Sequence, residues 1–325
     1  MNQHIIIHVG YPKAASTTLQ MQLFAQHPNI NYLGPTFDAK SRQEWENIVS
    51  KNNLYVLQGY NIRRFWENFR DFDEIKYKAN LEQQYFIYKE VICPLLNSKK
   101  INVFSHEEML NSQYGDNGLK AHRIKQFFPN TKIIIILRNQ IEAIRSLYEM
   151  HPAAPLGIGT QSKILSIDKW IERNFQSFHR SFLSGLYYSE TLDFYKDLFG
   201  ENNIGIFLFE ELKTQPNIFA EKLSKFLNID LEETKNLLQN SPKNTANDHV
   251  IHNLRLKLLP GVEFSKIFPE TIHRYSIKKL SQFVPKGKPK ISQYKLEELK
   301  ALYKCSNRKL VSELGIDISK YNYPL

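Results

Sequence analysis

The sequence predicts an α/β sandwich, a central parallel sheet packed between helices, with a largely helical C-terminal third. Three observations carry that prediction. Short runs of β-branched residues alternate with stretches of helical period, the order expected when each strand is followed by a crossover helix. One run, KIIIIL from Lys132 to Leu137, is apolar without alternation, which suits a strand buried on both faces. The first run ends in a glycine and passes within a few residues into a helical pattern, so a loop sits at the carboxyl edge of the sheet near the start of the chain.

Taken in order, Ile5 to Val9 reads as a buried strand ending at Gly10. From Ser16 the period turns helical, with Leu19, Leu23 and Phe24 on one face and Pro28 closing the segment. Leu54 to Leu57 and Ile101 to Phe104 are further strands, with a helix over Leu81 to Leu96 whose last turn Pro94 disturbs. After KIIIIL, the spacing of Ile141, Ile144, Leu147 and Tyr148 predicts a helix. Ile167, Trp170, Ile171, Phe175, Phe178 and Phe182 predict one long amphipathic helix, with Trp170 in the core. Ile204 to Phe209 is a strand, followed by helices around Phe219 to Leu227 and Leu231 to Leu238. The remainder is helical, broken by a basic loop at Val284 to Lys290. With no repeat, low-complexity tract or linker-like stretch, residues 1–325 read as a single domain.

Composition narrows the function. The 325 residues are 42 % hydrophobic and 13 % aromatic, enough for a buried core and against wholesale disorder. The net charge of +10 suits an anionic ligand: a nucleotide, an acidic glycan, nucleic acid or a membrane surface. Aromatic and basic residues are nowhere concentrated together as in a nucleic-acid face, so nucleic acid ranks last. Cys93 and Cys305 are far apart and form neither a disulfide framework nor a metal-ligand spacing, which fits a reducing compartment. The N-terminal residues lack the basic and apolar regions of a signal peptide, and no stretch approaches the ~20 apolar residues of a membrane span. The expected location is cytoplasmic.

The chemistry concentrates in GYPKAASTT, Gly10 to Thr18. A helix N-terminus at a strand's carboxyl end presents free N–H groups to an anion. Gly10 lets the chain turn, and Ala14 and Ala15 are small enough for the backbone to approach a phosphate. Ser16, Thr17 and Thr18 supply hydroxyls, and Lys13 a cation. The same residues also suit an ordinary capped helix. A kinase is a further rival, but its loop, G-x-x-x-x-G-K-[ST], places Lys directly before the hydroxyl that holds magnesium. Here Ala15 stands for the second glycine, Lys13 precedes Ser16 by three residues, and KIIIIL ends in Arg138 rather than an acidic metal ligand.

GYPKAASTTLQ resembles the 5′-phosphosulfate loop of sulfotransferases that use 3′-phosphoadenosine 5′-phosphosulfate (PAPS), of general form Y/H-P-K-x-G-T-T-x-L. The resemblance implies that Lys13 contacts the phosphate and the bridging oxygen, with Ser16 and Thr17 at the paired threonine positions; Ala15 departs from the usual glycine. LRNQIEAIRS, Leu137 to Ser146, is similar to the family's 3′-phosphate motif L-R-N-P-x-E-R-A-x-S. It retains Arg138 and Ser146 as 3′-phosphate contacts, with Gln140 in place of proline and Ala143 in place of arginine. The late segment PKGKPK, with Lys286, Gly287 and Lys288, resembles the basic loop that closes over the 3′-phosphate, and Ile291 to Pro324 resembles the helical tail of bacterial members.

SHEEML after Phe104 resembles the family's S-x-E turn, which selects Glu107 as the base; His106 is the alternative, its ordinary pKa lying nearer neutrality. The implied fold is a P-loop-like three-layer sandwich. The implied reaction is sulfuryl transfer from PAPS to a hydroxyl of a glycan, glycolipid or small alcohol, releasing PAP without a metal. The segment from Tyr148 to Gly159, including His151, and Tyr187 are candidates to line the acceptor cleft. Oligomeric state is not legible.

Overall fold

The computed structural model describes residues 4–34, 64–150, 165–239 and 289–325. Five parallel strands form one sheet: β1 (Ile5–His8), β2 (Ile30–Tyr32), β3 (Ile101–Ser105), β4 (Lys132–Leu137) and β5 (Ile204–Leu208), in the spatial order β2-β3-β1-β4-β5. In register, Ile7 of β1 faces Phe104 of β3 on one side and Ile133 of β4 on the other. KIIIIL is the central strand its composition predicts: Ile133 through Leu137 are fully buried. Each buried isoleucine contributes about 1.5–3 kcal/mol relative to exposure, so this strand is a main anchor of the sheet.

The strand order reverses at β1. The connection from β1 runs to the far edge at β2, while the later connections run the other way. Because such crossovers are right-handed, the reversal puts helices on opposite faces. On one face lies α1 (Ser16–Thr18, continuing through wide helical turns at Leu19–Phe24). On the other lie α2 (Asn117–Phe127), α3 (Gln140–Met150), α4 (Ile167–Gln176) and α5 (Tyr188–Phe199), with α5 packed on both α2 and the β4–β5 pair. After β5 the chain forms α6 (Phe209–Thr214), α7 (Pro216–Leu227) and α8 (Leu231–Gln239), and α8 returns to pack on the helical turns of α1. The last long helix, α9 (Gln293–Ser312), packs on α3 and α5.

Three elements differ from the sequence reading. The long helix expected over Ile167 to Phe182 ends at Gln176; Phe178–Arg180 is a separate tight turn, and the Ser181 side chain caps a new short helix at Phe182–Gly185. Apolar spacing alone does not register that break, which a local hydroxyl cap imposes. β2 went unseen because three residues, INY, are too short for a periodic signal. Phe209 starts α6 rather than ending β5. The strand expected at Leu54 to Leu57 lies outside the described residues. Trp170 is core, 1 % exposed, as its spacing requires.

Candidate active site

Such a reversal of strand order puts a crevice at the carboxyl ends of β1, β3 and β4, and Lys13, Ser16, Glu107 and Arg138 come together at those ends. The loop after β1 stays laced to β4: Tyr11 N–H donates to Ile136 O (3.3 Å) and Ile136 N–H to Gly10 O (3.0 Å). Its shape comes from backbone angles few L-residues adopt. Gly10 has φ +121°, and Lys13 and Ala15 both have φ +65°. A side chain at Gly10 would also place its Cβ 2.4 Å from Glu107 O, so this glycine is what lets the turn after β3 lie against the loop. Ala15 therefore carries, as alanine, the left-handed backbone for which glycine is suited.

Glu107 begins the turn Glu107–Leu110 directly after β3. Its carboxyl is pushed up to about 6, chiefly because burial strips it of water and also because Glu108 lies close; the Ser16 hydroxyl bonds to it and Lys13 attracts it, both opposing the rise. Ser16 also donates to Tyr11 O (3.5 Å). Lys13 is lowered from the usual lysine range by burial, with Glu107 pulling it up and Arg138 pushing it down. Lys13, Ser16, Glu107 and Arg138 thus form one interacting cluster.

Beneath that cluster the loop helix and β3 are pinned together. Gln20 of α1 donates to Ser105 Oγ (2.9 Å), which also bonds His8 Nδ1 (2.7 Å). His8 is fully buried and pushed down to about 3 by that burial, so it is neutral and structural at ordinary pH. Glu108 accepts from Asn111 Nδ2 (2.5 Å), and the buried Lys120 donates to Asn111 O (2.7 Å), which fixes the far end of the Glu107 turn.

Arg138 leaves the end of β4 and reaches back, Nη1 donating to Lys13 O (2.7 Å). Its guanidinium lies 4.5 Å from the Phe209 ring centroid. Tyr188 braces both loops: its hydroxyl donates to Arg138 O (2.6 Å), while its ring packs 4.8 Å from that of Tyr11. Asn139 caps α3, its Oδ1 accepting from Ile141 N (3.0 Å) and Glu142 N (3.2 Å). Ser146 sits about two turns into that helix.

The sequence matches the model of the sulfotransferase domain over residues 3–257, most of the chain. The protein belongs to the sulfotransferase family. Among solved structures it is similar to the sulfotransferase of Alicyclobacillus acidocaldarius, at 14 % identity over 99 % of each chain and a TM-score of 0.55. That likeness is one of fold. It also matches mouse sulfotransferase SULT7A1 complexed with PAP (15 % identity, 77 % of this chain and 68 % of that one, TM-score 0.41). A third match is the sulfotransferase domain of the Synechococcus PCC 7002 olefin synthase (13 %, 92 % and 93 %, TM-score 0.42). No curated protein matches the sequence.

Sulfotransferases move a sulfuryl group, PAPS being the family's donor, and the residues here fit such an anion. The first loop turns a helix N-terminus into the crevice beside Lys13. Arg138 keeps a buried Nε with no hydrogen-bond partner among the described residues, a donor suited to a phosphate oxygen. Among the described residues, no helix is long and apolar enough to cross a membrane. Lys286, Gly287, Lys288 and His151 lie outside the described residues. Sequence reasoning passed over Tyr188, Gln20, His8 and Lys120. It also missed Asn139, whose capping was readable from Asn followed three residues later by Glu142.

Proposed function

We propose that this sulfotransferase transfers the sulfuryl group of PAPS to a hydroxyl of a glycan or glycolipid, within one domain spanning residues 1–325, and that Glu107 is its base. The observation that carries the reading is the meeting of Glu107, Ser16 and Lys13: a buried carboxyl raised to about 6, hydrogen-bonded to the phosphate loop and facing a lysine. Ala15, Ser16, Thr17 and Thr18 hold the phosphosulfate, and Arg138 and Ser146 the 3′-phosphate, with Lys286, Gly287 and Lys288 closing over it. Glu107 accepts the proton of the acceptor hydroxyl as its oxygen forms the new bond to sulfur. The bond from sulfur to the phosphate oxygen breaks, and its electron pair leaves with PAP. Lys13 stabilises that departing charge. His106, next to Glu107, is the alternative base. The acceptor class is favoured by the basic surplus, which suits anionic glycans and lipids, and two free thiols accord with work in the cytoplasm.

Transfer of 35S from PAPS to a panel of glycans, glycolipids and simple alcohols tests the reaction; label appearing only in the alcohols would overturn the acceptor class. Glu107→Gln lowers kcat about 10²–10⁴-fold while PAP still raises the melting temperature. Since the base works only when ionised, kcat/KM rises with pH through about 6 and levels off above it. Activity kept in Glu107→Gln but lost in His106→Ala would move the base to His106.

A further inference from the structure

Gln140, which stands where the family motif has proline, is fully buried, and its amide has a specific partner. Its Nε2 donates to Asn307 Oδ1 (2.6 Å) and its Oε1 accepts from Asn307 Nδ2 (3.2 Å), a reciprocal pair between α3 and α9. The same Asn307 Nδ2 donates to Pro324 O (2.8 Å), next to the last residue. Asn139, beside Gln140, donates from Nδ2 to Tyr321 O (3.2 Å) and Asn322 O (2.6 Å). Its backbone N–H donates to Glu210 Oε1 (2.9 Å), and the other oxygen of that carboxylate accepts from Tyr323 OH (3.0 Å). Glu210 follows Phe209, whose ring supports the Arg138 guanidinium, and its charge also acts on Arg138. Tyr321 bonds in turn to Gln215 at the end of α6 (3.0 Å).

The end of the chain therefore grips the turn Arg138–Asn139–Gln140 from behind, with buried side chains at its centre and the carbonyls of half-buried Tyr321 and exposed Asn322 at its edge. Asn307 is 0 % exposed, Tyr323 4 % and Asn139 5 %. A surface tail held for stability alone needs no such convergence. The two residues after Arg138 are held by the tail, by α9, by Glu210 and by Leu186 O, and Asn139 also caps α3, while the Arg138 Nε is buried with no hydrogen-bond partner among the described residues. We infer that the tail from Tyr321 to Pro324, with Asn307 and Glu210, is a positioning element of the nucleotide site. It fixes the direction of Arg138 and so sets the preference for nucleotides carrying a 3′-phosphate. This rests on the reading that Arg138 takes the 3′-phosphate.

The test compares dissociation constants for PAP and for 5′-AMP, which differs from PAP only in lacking the 3′-phosphate, by calorimetry on the full chain. The wild type prefers PAP. Tyr323→Phe removes only the hydroxyl that holds Glu210 and lowers the PAP:AMP preference about threefold; Asn307→Ala frees Gln140 and the last residues and lowers it about tenfold. In both variants the AMP constant stays as in the wild type. A general loss of structure would weaken both nucleotides together, and that result, or an unchanged preference in both variants, overturns the inference. Should Asn307→Ala fail to fold, Tyr323→Phe decides alone. A wild type with no preference for PAP over AMP would instead sink the assignment of Arg138 to the 3′-phosphate.

Discussion

The two loops that meet in the crevice are held in opposite ways. The first, Gly10 to Ser16, is shaped by its own backbone: three residues at positive φ, two hydrogen bonds to the neighbouring strand, and the Ser16 hydroxyl bonded back to Tyr11 O. The second, Arg138 to Gln140, has its shape imposed by side chains from α5, α6 and α9 and by backbone carbonyls of the tail. A backbone-shaped loop needs small residues at set places and is indifferent to distant ones. A side-chain-held turn tolerates ordinary backbone angles but depends on partners scattered along the chain.

The sharpest way to break that contrast is Gly10→Ala. It places an L-residue at φ +121° with its Cβ against Glu107 O, and is expected to cost about 3 kcal/mol in urea unfolding. A loss below 1 kcal/mol would mean that the first loop is not set by its backbone. For the second loop, Asn139→Ala removes a helix cap and two donations to the tail at once. It should lower stability by about 2 kcal/mol, read from the same unfolding curves. A smaller change of the opposite sign is expected from Ala15→Gly, which relieves the left-handed backbone. It should raise stability by about 0.5 kcal/mol after the entropy of glycine is allowed for, seen as a higher melting temperature.

The same contrast explains what the sequence disclosed. GYPKAASTT could be read because everything that shapes it is local: a glycine at the turn, small residues, hydroxyls at a helix start. Arg138 and Ser146 could be read as a motif, but the reason for Gln140 could not, since its partner Asn307 lies 167 residues away. KIIIIL announced a central strand because burial on both faces leaves a local mark. INY did not, because three residues are too few for a period, and the break after Gln176 did not, because the apolar spacing runs on across it to Phe182. Glu107 was visible from its place after β3. Its raised pKa depends on burial beneath the loop and on Glu108, and only the packed fold supplies the former.

The bond from Arg138 to the Lys13 carbonyl joins the two loops into one rigid part. A molecule that enters the crevice meets both already aligned, so engaging the second loop carries little further ordering cost once the first is engaged. It also follows that substitutions in the two loops will not add. A Lys13 variant and an Arg138 variant disturb the same joint, and their double variant should lose less than the sum of the two.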